Sequence, residues 1–544
     1  MSRLRSASAE LELPSPKAGR LDPLGAIGRF HPILGRIPAL LVGGVWAGML
    51  VSGLILVGEY GSKLPYWEDW DLVPRLTVEK VDLPWLFSQN WEHRVPLPRL
   101  ILVALLKATN LDFRSGLYLN LSALAALALA MIFVARYVRG RTSYVDALFP
   151  LLLLNWGHWN NILWNWQVQF ICSTVLGGAL LLLIVCRGNQ PSVKTALAIA
   201  VCLLLLPMCG ANGLALAPLP AVWLGWAGAL TLRRGPRSAR AAGLVSVVLA
   251  VLVLASVAGY WLTYHPPPYT PKRLGLTPAI ATFAAFIGVG FGRADRTALV
   301  IREALLPVAI LAVMRLWLRR PLQAKEWLIV AFCALLARGL QFQLEYYHMI
   351  GTFSRRTAWG IAGIATTTVC LGVLMRAFWR RPDERLRSAG LLCFFAALLA
   401  LAGGLAWGRA GAISDFQDTQ RYYTLTVTLP CAVLLTLEAY GSRRLLLIAR
   451  PLLVAAAILV AWNCIDDSKA LASSRWRAGE GLRHDLHEGL PASEIIDRHA
   501  GDRALFLIKT EDPSFYARCL LLLRDAGHPE FQGVKDDPPS PASR

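Results

Sequence analysis

Residues 37–58 read IPALLVGGVWAGMLVSGLILVG, an uninterrupted apolar run. At about 1.5 Å per residue such a helix matches the roughly 30 Å hydrocarbon core of a bilayer. The run is too long for the h-region of a signal peptide and lacks a clear small-residue cleavage site, so it reads as a retained first helix. Comparable runs follow at 116–138, 144–157, 167–186, 194–209, 211–232, 241–263, 303–319, 325–346, 357–378, 387–407, 422–440 and 444–462. The expected fold is all-α, a polytopic transmembrane helical bundle of roughly 13 spans.

Composition agrees. Of 544 residues 55% are hydrophobic and 17% charged, and mean hydropathy is +0.47. A soluble chain of this length would divide into domains that each need a charged surface, which this chain lacks. The net charge of +20 sits in short Lys/Arg clusters between apolar runs rather than in a continuous stripe. That arrangement fits the positive-inside rule and argues against nucleic acid as a partner. Of the ten cysteines most lie in apolar runs and none forms a CxxC; Cys464 and Cys519 are left as a pair or as two thiols.

Charge also sets the orientation. Arg3, Arg5, Lys17, Arg20, Arg29 and Arg36 precede the first span and place the N-terminus in the cytoplasm. Alternation then puts Arg136-Arg139-Arg141, Arg187-Lys194 and Arg233-Arg234-Arg237-Arg240 on the same side. The run 275–292, read with its continuation as AIATFAAFIGVGFGRADR at 279–296, decides the rest: Gly288, Gly290 and Gly292 suit a re-entrant turn. If it does not cross, Arg315-Arg319-Arg320-Lys325, Arg376-Arg380-Arg381 and Arg443-Arg444 are cytoplasmic too. The expected organisation is a disordered cytoplasmic segment 1–36, a transmembrane domain 37–462 with an outer first loop 59–115, and an extracytoplasmic helical cap with a disordered end at 463–544. Within the first loop, Pro96 to Ala108 is amphipathic and short, as for an interfacial helix.

Polar residues then gather on the outer side. The first loop holds Tyr66-Trp67-Glu68-Asp69-Trp70-Asp71 and Gln89-Asn90-Trp91-Glu92-His93-Arg94. Closely spaced carboxylates repel unless they bind a cation or one is protonated, and one of them would deprotonate a hydroxyl if suitably placed. The bland alternative is a solvated acidic loop with interfacial tryptophans. The loop from Asn155 to Gln169, NWGHWNNILWNWQVQ, mixes indoles with amides. An aromatic belt accounts for the tryptophans but not the amides, so Trp159, Asn160 and Trp164 are candidate ligand contacts. Arg338, Gln341, Glu345 and His348 recur on one helical face near an outer end. Arg355, Arg356, Arg409 and Arg421 lie on the same side, against the positive-inside tendency, and guanidinium forks suit phosphate oxygens.

With an acidic first outer loop, many spans, arginines in later outer loops and an outer C-terminal segment, the chain resembles the GT-C membrane glycosyltransferases. At motif level it is similar to bacterial membrane proteins with an acidic-Trp stretch, an NEHR-x-x-x-x-R stretch and a later GR…SRY loop. Here the matching residues are Asn90-Trp91-Glu92-His93-Arg94 through Arg99, Gly408-Arg409 and Gln420-Arg421-Tyr422, with Trp91 interrupting the first motif and Gln420 in place of serine. The resemblance implies a bacterial inner-membrane transferase that takes a sugar from a polyprenyl-phosphate donor to an envelope glycan or lipid acceptor. Asp69 would be the base or metal-linked carboxylate, with Glu68, Asp71 and Glu92 in support. His93, Arg94, Arg338, Glu345, His348, Arg355, Arg409, Arg421 and Tyr422 would bind substrate, and Trp159, Asn160 and Trp164 would contact the sugar. No motif fixes a cofactor; Mg or Mn would suit the carboxylates. The rivals are an O-antigen polymerase or ligase, a transporter or flippase, and a non-catalytic scaffold.

Overall fold

A computed structural model describes residues 36–190, 192–266, 276–289, 353–409, 421–499 and 513–537. All regular elements among the described residues are helical. In order they are α1 Ile37–Tyr60, α2 Val73–Thr77, α3 Leu83–Phe87, α4 Pro96–Ala108, α5 Arg114–Arg139, α6 Leu148–Leu153, α7 Trp159–Ile162, α8 Val168–Arg187, α9 Val193–Leu205, α10 Ala211–Leu216, α11 Pro218–Arg234, α12 Arg240–Leu262, α13 Leu276–Val289, α14 Phe353–Arg380, α15 Arg385–Arg409, α16 Tyr423–Thr426, α17 Thr428–Tyr440, α18 Arg443–Glu488, α19 Ala492–His499 and α20 Pro513–Asp525. Short 3₁₀ turns join several of them. Among the described residues, eight helical segments are long and apolar enough to cross a membrane. Large apolar side chains stay exposed along them, Leu40, Leu262 and Trp462 among them, as a lipid-facing surface requires. The expected spans 303–319 and 325–346 lie outside the described residues, as does the end of the 275–292 run beyond α13.

One expected span, 144–157, is not a continuous helix. α6 ends after six residues. The cause is Asn155: its amide Nδ2 donates to the carbonyls of Leu151 (2.8 Å) and Leu152 (2.9 Å), and its Oδ1 accepts from the Gly157 N–H (2.9 Å). An asparagine that takes over helix carbonyls ends the helix. The chain continues through short turns to Gln167, and that irregular backbone is buried against α5, α8 and α18. Non-helical backbone is tolerated at membrane depth when protein surrounds it. The stretch 194–209 forms a shorter apolar helical segment, Val193–Cys209.

The two ends of the bundle differ in chemistry. At one end Arg139 pairs with Asp146 and with Glu438 (3.4 Å), and Glu438 also holds Arg450 (2.8 Å). Glu384 accepts there from Asn189 (2.9 Å), Tyr440 (2.8 Å) and Arg387 (3.0 Å). The basic connections after α5, α8, α14 and α17 therefore share one end. The first loop, the 154–167 segment and the ends of α12, α15 and α18 share the other.

α18 runs 46 residues without a break, so the boundary expected at 462/463 falls inside a helix. It stays in the main core through Ala472 and enters a second hydrophobic core from Ala478 onward. Here Leu482, Leu486, Ile495, Tyr516, Leu520 and Phe531 pack on Trp70, Leu102, Leu106 and Phe113 of the first loop. Trp70 is fully buried, with ring centroids 6.0 Å from Tyr516 and 6.3 Å from Phe531. The first loop and the C-terminal helices are thus one packed unit. Neither Cys464 nor Cys519 forms a disulfide: Cys464 lies against Gly157, and the Cys519 thiol approaches the Trp70 carbonyl (3.9 Å).

Candidate functional site

The acidic stretch folds as a 3₁₀ turn, Trp67–Leu72, entered through Trp67 at φ 49. A left-handed backbone at tryptophan is strained and needs surrounding contacts to hold it. They come from the 155–169 segment: Trp164 packs edge-on against Tyr66 (5.3 Å) and Trp67 (5.3 Å). Arg475 of α18 caps the other face of this group. Its guanidinium lies 3.3 Å from the Tyr66 ring centroid and donates to the Leu163 carbonyl (2.7 Å).

Asp69 is buried within this arrangement. Its carboxylate accepts from the backbone N–H of Tyr66 (3.3 Å) and Trp166 (3.2 Å) and from the Asn165 side chain (3.2 Å). Burial pushes it up to about 7, against the lowering effect of Asn165 and Arg475. Both oxygens are engaged, so Asp69 joins the acidic turn to the Asn165 turn. Glu68 is placed differently. Its Oε2 is sealed from solvent with no hydrogen-bond partner. Burial lifts Glu68 to about 7 as well; Arg421 pulls it down, and Asp71 and Asp69 raise it.

The second motif forms a tight turn. Asn90 and His93 exchange backbone hydrogen bonds (2.7 and 2.9 Å) around Trp91, whose φ is 52. The inserted tryptophan therefore occupies the turn tip, and Glu92 is presented beside Arg409 at the end of α15 (2.9 Å). His93 Nδ1 accepts from the Ala211 N–H (3.4 Å), which leaves the proton on Nε2, 3.8 Å from Glu92. Burial, together with Arg409 and Arg421, outweighs Glu92 and holds His93 down at about 4, neutral at physiological pH. Arg94 is committed elsewhere, to Thr263, with its ring contact to Tyr260 at 5.3 Å. Arg99 binds the carbonyl and hydroxyl of Ser88 (2.9 Å each) and fastens α3 to α4.

At one end of the bundle Arg421 thus lies within electrostatic reach of both Glu68, which also feels Asp71, and His93, which also feels Glu92 and Arg409. Tyr422 is buried there, its ring packed on Phe170 (5.7 Å) and Phe286 (6.0 Å). Trp159 lies in the main apolar core and Trp164 is a packing element, so neither indole face is open; Asn160 is half-buried. Arg338, Glu345 and His348 lie outside the described residues, and for Arg355 only its place in α14 is described. Sequence reading missed Arg475, which sits far along the chain in what read as a charged tail, and Asn165, one amide among several. The arrangement offers a carboxylate that changes charge near neutrality within reach of Arg421, with the Arg409–Glu92 pair at the same end. Such a set can take a proton from a hydroxyl and hold an anion. Among the described residues the carboxylates around Glu68 do not converge at metal-ligating distance, whereas His484, Asp485 and Glu488 of α18 do, and Asp69 is already engaged by three donors. Comparison of the chain with protein-family models, curated proteins and solved structures finds no match.

Proposed function

We propose that the chain is a membrane glycosyltransferase that moves a sugar from a polyprenyl-phosphate donor to a hydroxyl of an extracytoplasmic envelope glycan or lipid. The observation that carries this reading is the Glu68 carboxylate, sealed at Oε2 and lifted to about 7, facing Arg421 beside the Arg409–Glu92 pair. In this reading the basic end faces the cytoplasm, as the positive-inside rule prefers, and the site faces the other compartment.

The chemistry follows from the groups. Glu68, ionised, accepts the proton of the acceptor hydroxyl. The hydroxyl oxygen bonds to the anomeric carbon as the bond from that carbon to the phosphate oxygen breaks. The electron pair leaves with the polyprenyl phosphate, whose charge Arg421 and Arg409 stabilise, Arg409 exchanging Glu92 for phosphate. Neutral His93 stays available as an Nε2–H donor. Asp69 positions the Trp67–Leu72 turn. This moves the base assignment from Asp69, which the resemblance favours, to Glu68.

Deleting the protein and comparing envelope glycans and glycolipids by mass spectrometry tests the reading. Complementation with Glu68→Gln or Arg421→Ala is expected to leave the deletion profile. Full restoration by both variants sinks the proposal.

A further inference from the structure

The last turns of α18 read Leu482-Arg483-His484-Asp485-Leu486-His487-Glu488. Leu482 and Leu486 pack in the second core, and helical phase puts His484 and Glu488, four residues apart, on the opposite side with Asp485 next to them. One ligand atom from each of the three lies within 4.8 Å of those of the other two. His484 Nδ1 is 3.3 Å from Glu488 Oε1 and 3.8 Å from Asp485 Oδ1. Donors bound about 2.0–2.1 Å from one tetrahedral ion stand about 3.3–3.4 Å apart, so these separations are close to the edges of a coordination shell. An imidazole Nδ1 has one proton at most to give, yet two carboxylates converge on it. Asp485 is held from its other side: His499 of α19 has its Nε2 3.1 Å from Asp485 Oδ2, and the two side chains are only 14% and 15% exposed. Arg498 Nη1 lies loosely by the same carboxylates, 3.5 Å from Asp485 Oδ1 and 3.8 Å from Glu488 Oε2, while its Nη2 is held by Glu494 at 2.8 Å. Glu488 is also the final residue of α18, where the partial negative charge of a helix end favours a cation.

We propose that His484, Asp485 and Glu488 bind a divalent transition ion of the zinc class through one imidazole nitrogen and two carboxylate oxygens, leaving a fourth position to water. The imidazole selects the ion, because Mg and Ca take shells of oxygen. His499 is a positioning residue: it holds Asp485 Oδ2 and so aims Oδ1 at the ion, as outer partners of metal ligands do. Arg498 is the cation that the ion displaces, and Glu494 keeps it paired when it leaves. The bound ion fastens the end of α18 to α19 through Asp485 and His499. None of this depends on the glycosyl-transfer chemistry.

The test is calorimetric titration with zinc chloride of the full chain, purified in detergent without a polyhistidine tag, stripped with a chelator and kept in excess magnesium. One saturable zinc equivalent is expected. His484→Ala and Glu488→Gln should each weaken it by at least about 10-fold, and His499→Ala by about 10–100-fold. Arg498→Ala should tighten it, since a competing cation is gone. The His484 and Glu488 side chains are 69% and 45% exposed, so these variants should fold, which an unchanged melting temperature without zinc verifies. Zinc should raise the melting temperature of wild type and not of His484→Ala. No saturable zinc site, or one that His484→Ala and Glu488→Gln leave unchanged, overturns the site. Displacement of zinc by magnesium overturns the choice of ion, and weaker binding by Arg498→Ala overturns the exchange of cations.

Discussion

Replacing Glu68 by glutamine is expected to stabilise the protein in a pH-dependent way while removing its proposed base. The ordinary glutamate value is 4.5 and burial lifts Glu68 to about 7. The folded state therefore holds this proton more tightly than the unfolded chain. Stability associated with it is complete below about pH 4.5, falls as pH rises toward 7, and stays low above that. A gap of about 2.5 pH units at about 1.4 kcal/mol each gives an upper limit of about 3.5 kcal/mol at pH 8. Glu68 is only half-buried as a residue, so partial screening by water brings this to about 2–3 kcal/mol. At pH 5 the same arithmetic leaves about 1 kcal/mol. Glutamine carries its own packing and hydrogen-bond costs, but those do not change with pH. The diagnostic quantity is therefore the slope: variant minus wild-type melting temperature in detergent, at fixed scan rate, should grow by about 2 °C from pH 5 to pH 8. A difference flat in pH, or one that shrinks as pH rises, refutes the placement of Glu68 as a buried carboxyl. In the transfer assay wild-type activity should rise through about pH 7 as Glu68 ionises, and Glu68→Gln should lose about 10²–10⁴-fold.

Further expectations concern the supports of the site. Gly116→Ala places a methyl 2.0 Å from the Asn165 side-chain oxygen, so Asn165 must move off Asp69; we expect a loss of about 1–3 kcal/mol in thermal stability, together with reduced activity. Trp70→Ala removes the centre of the second core, costs about 3–5 kcal/mol, and should speed limited proteolysis of the C-terminal helices while the spans stay protected.

How legible all this was depended on whether the cause was local. The run 37–58 declares a span by length and apolarity alone, and α4 matches the amphipathic stretch Pro96 to Ala108 residue for residue. The grouping of Glu92 with Arg409 followed from counting crossings against loop charge, because placement at one end needs only parity. The broken segment after Leu153 was not legible. It depends on Asn155 bonding backward to two carbonyls, which hydropathy does not register. Arg475 was hidden for a different reason: its partners, Tyr66 and Leu163, are set by the packing of α18 on segments hundreds of residues away. The weight given to Asp69 over Glu68 could be revised only with hydrogen bonds in hand, since the two carboxylates are adjacent and equivalent by composition.

The unbroken α18 has a consequence for insertions and for the surrounding lipid. Trp462 is 75% exposed, a residue type enriched at membrane interfaces, and Arg475 lies thirteen residues further on, about 20 Å along the same rod. Helical phase and height are then one variable. A single residue inserted between them turns Arg475 by about 100° away from Tyr66 without disturbing any span. A thicker bilayer that changes the tilt of the rod loads the packed contacts between its distant end and the first loop. The helix behaves as a ruler anchored in the membrane, with the site read off at its far mark.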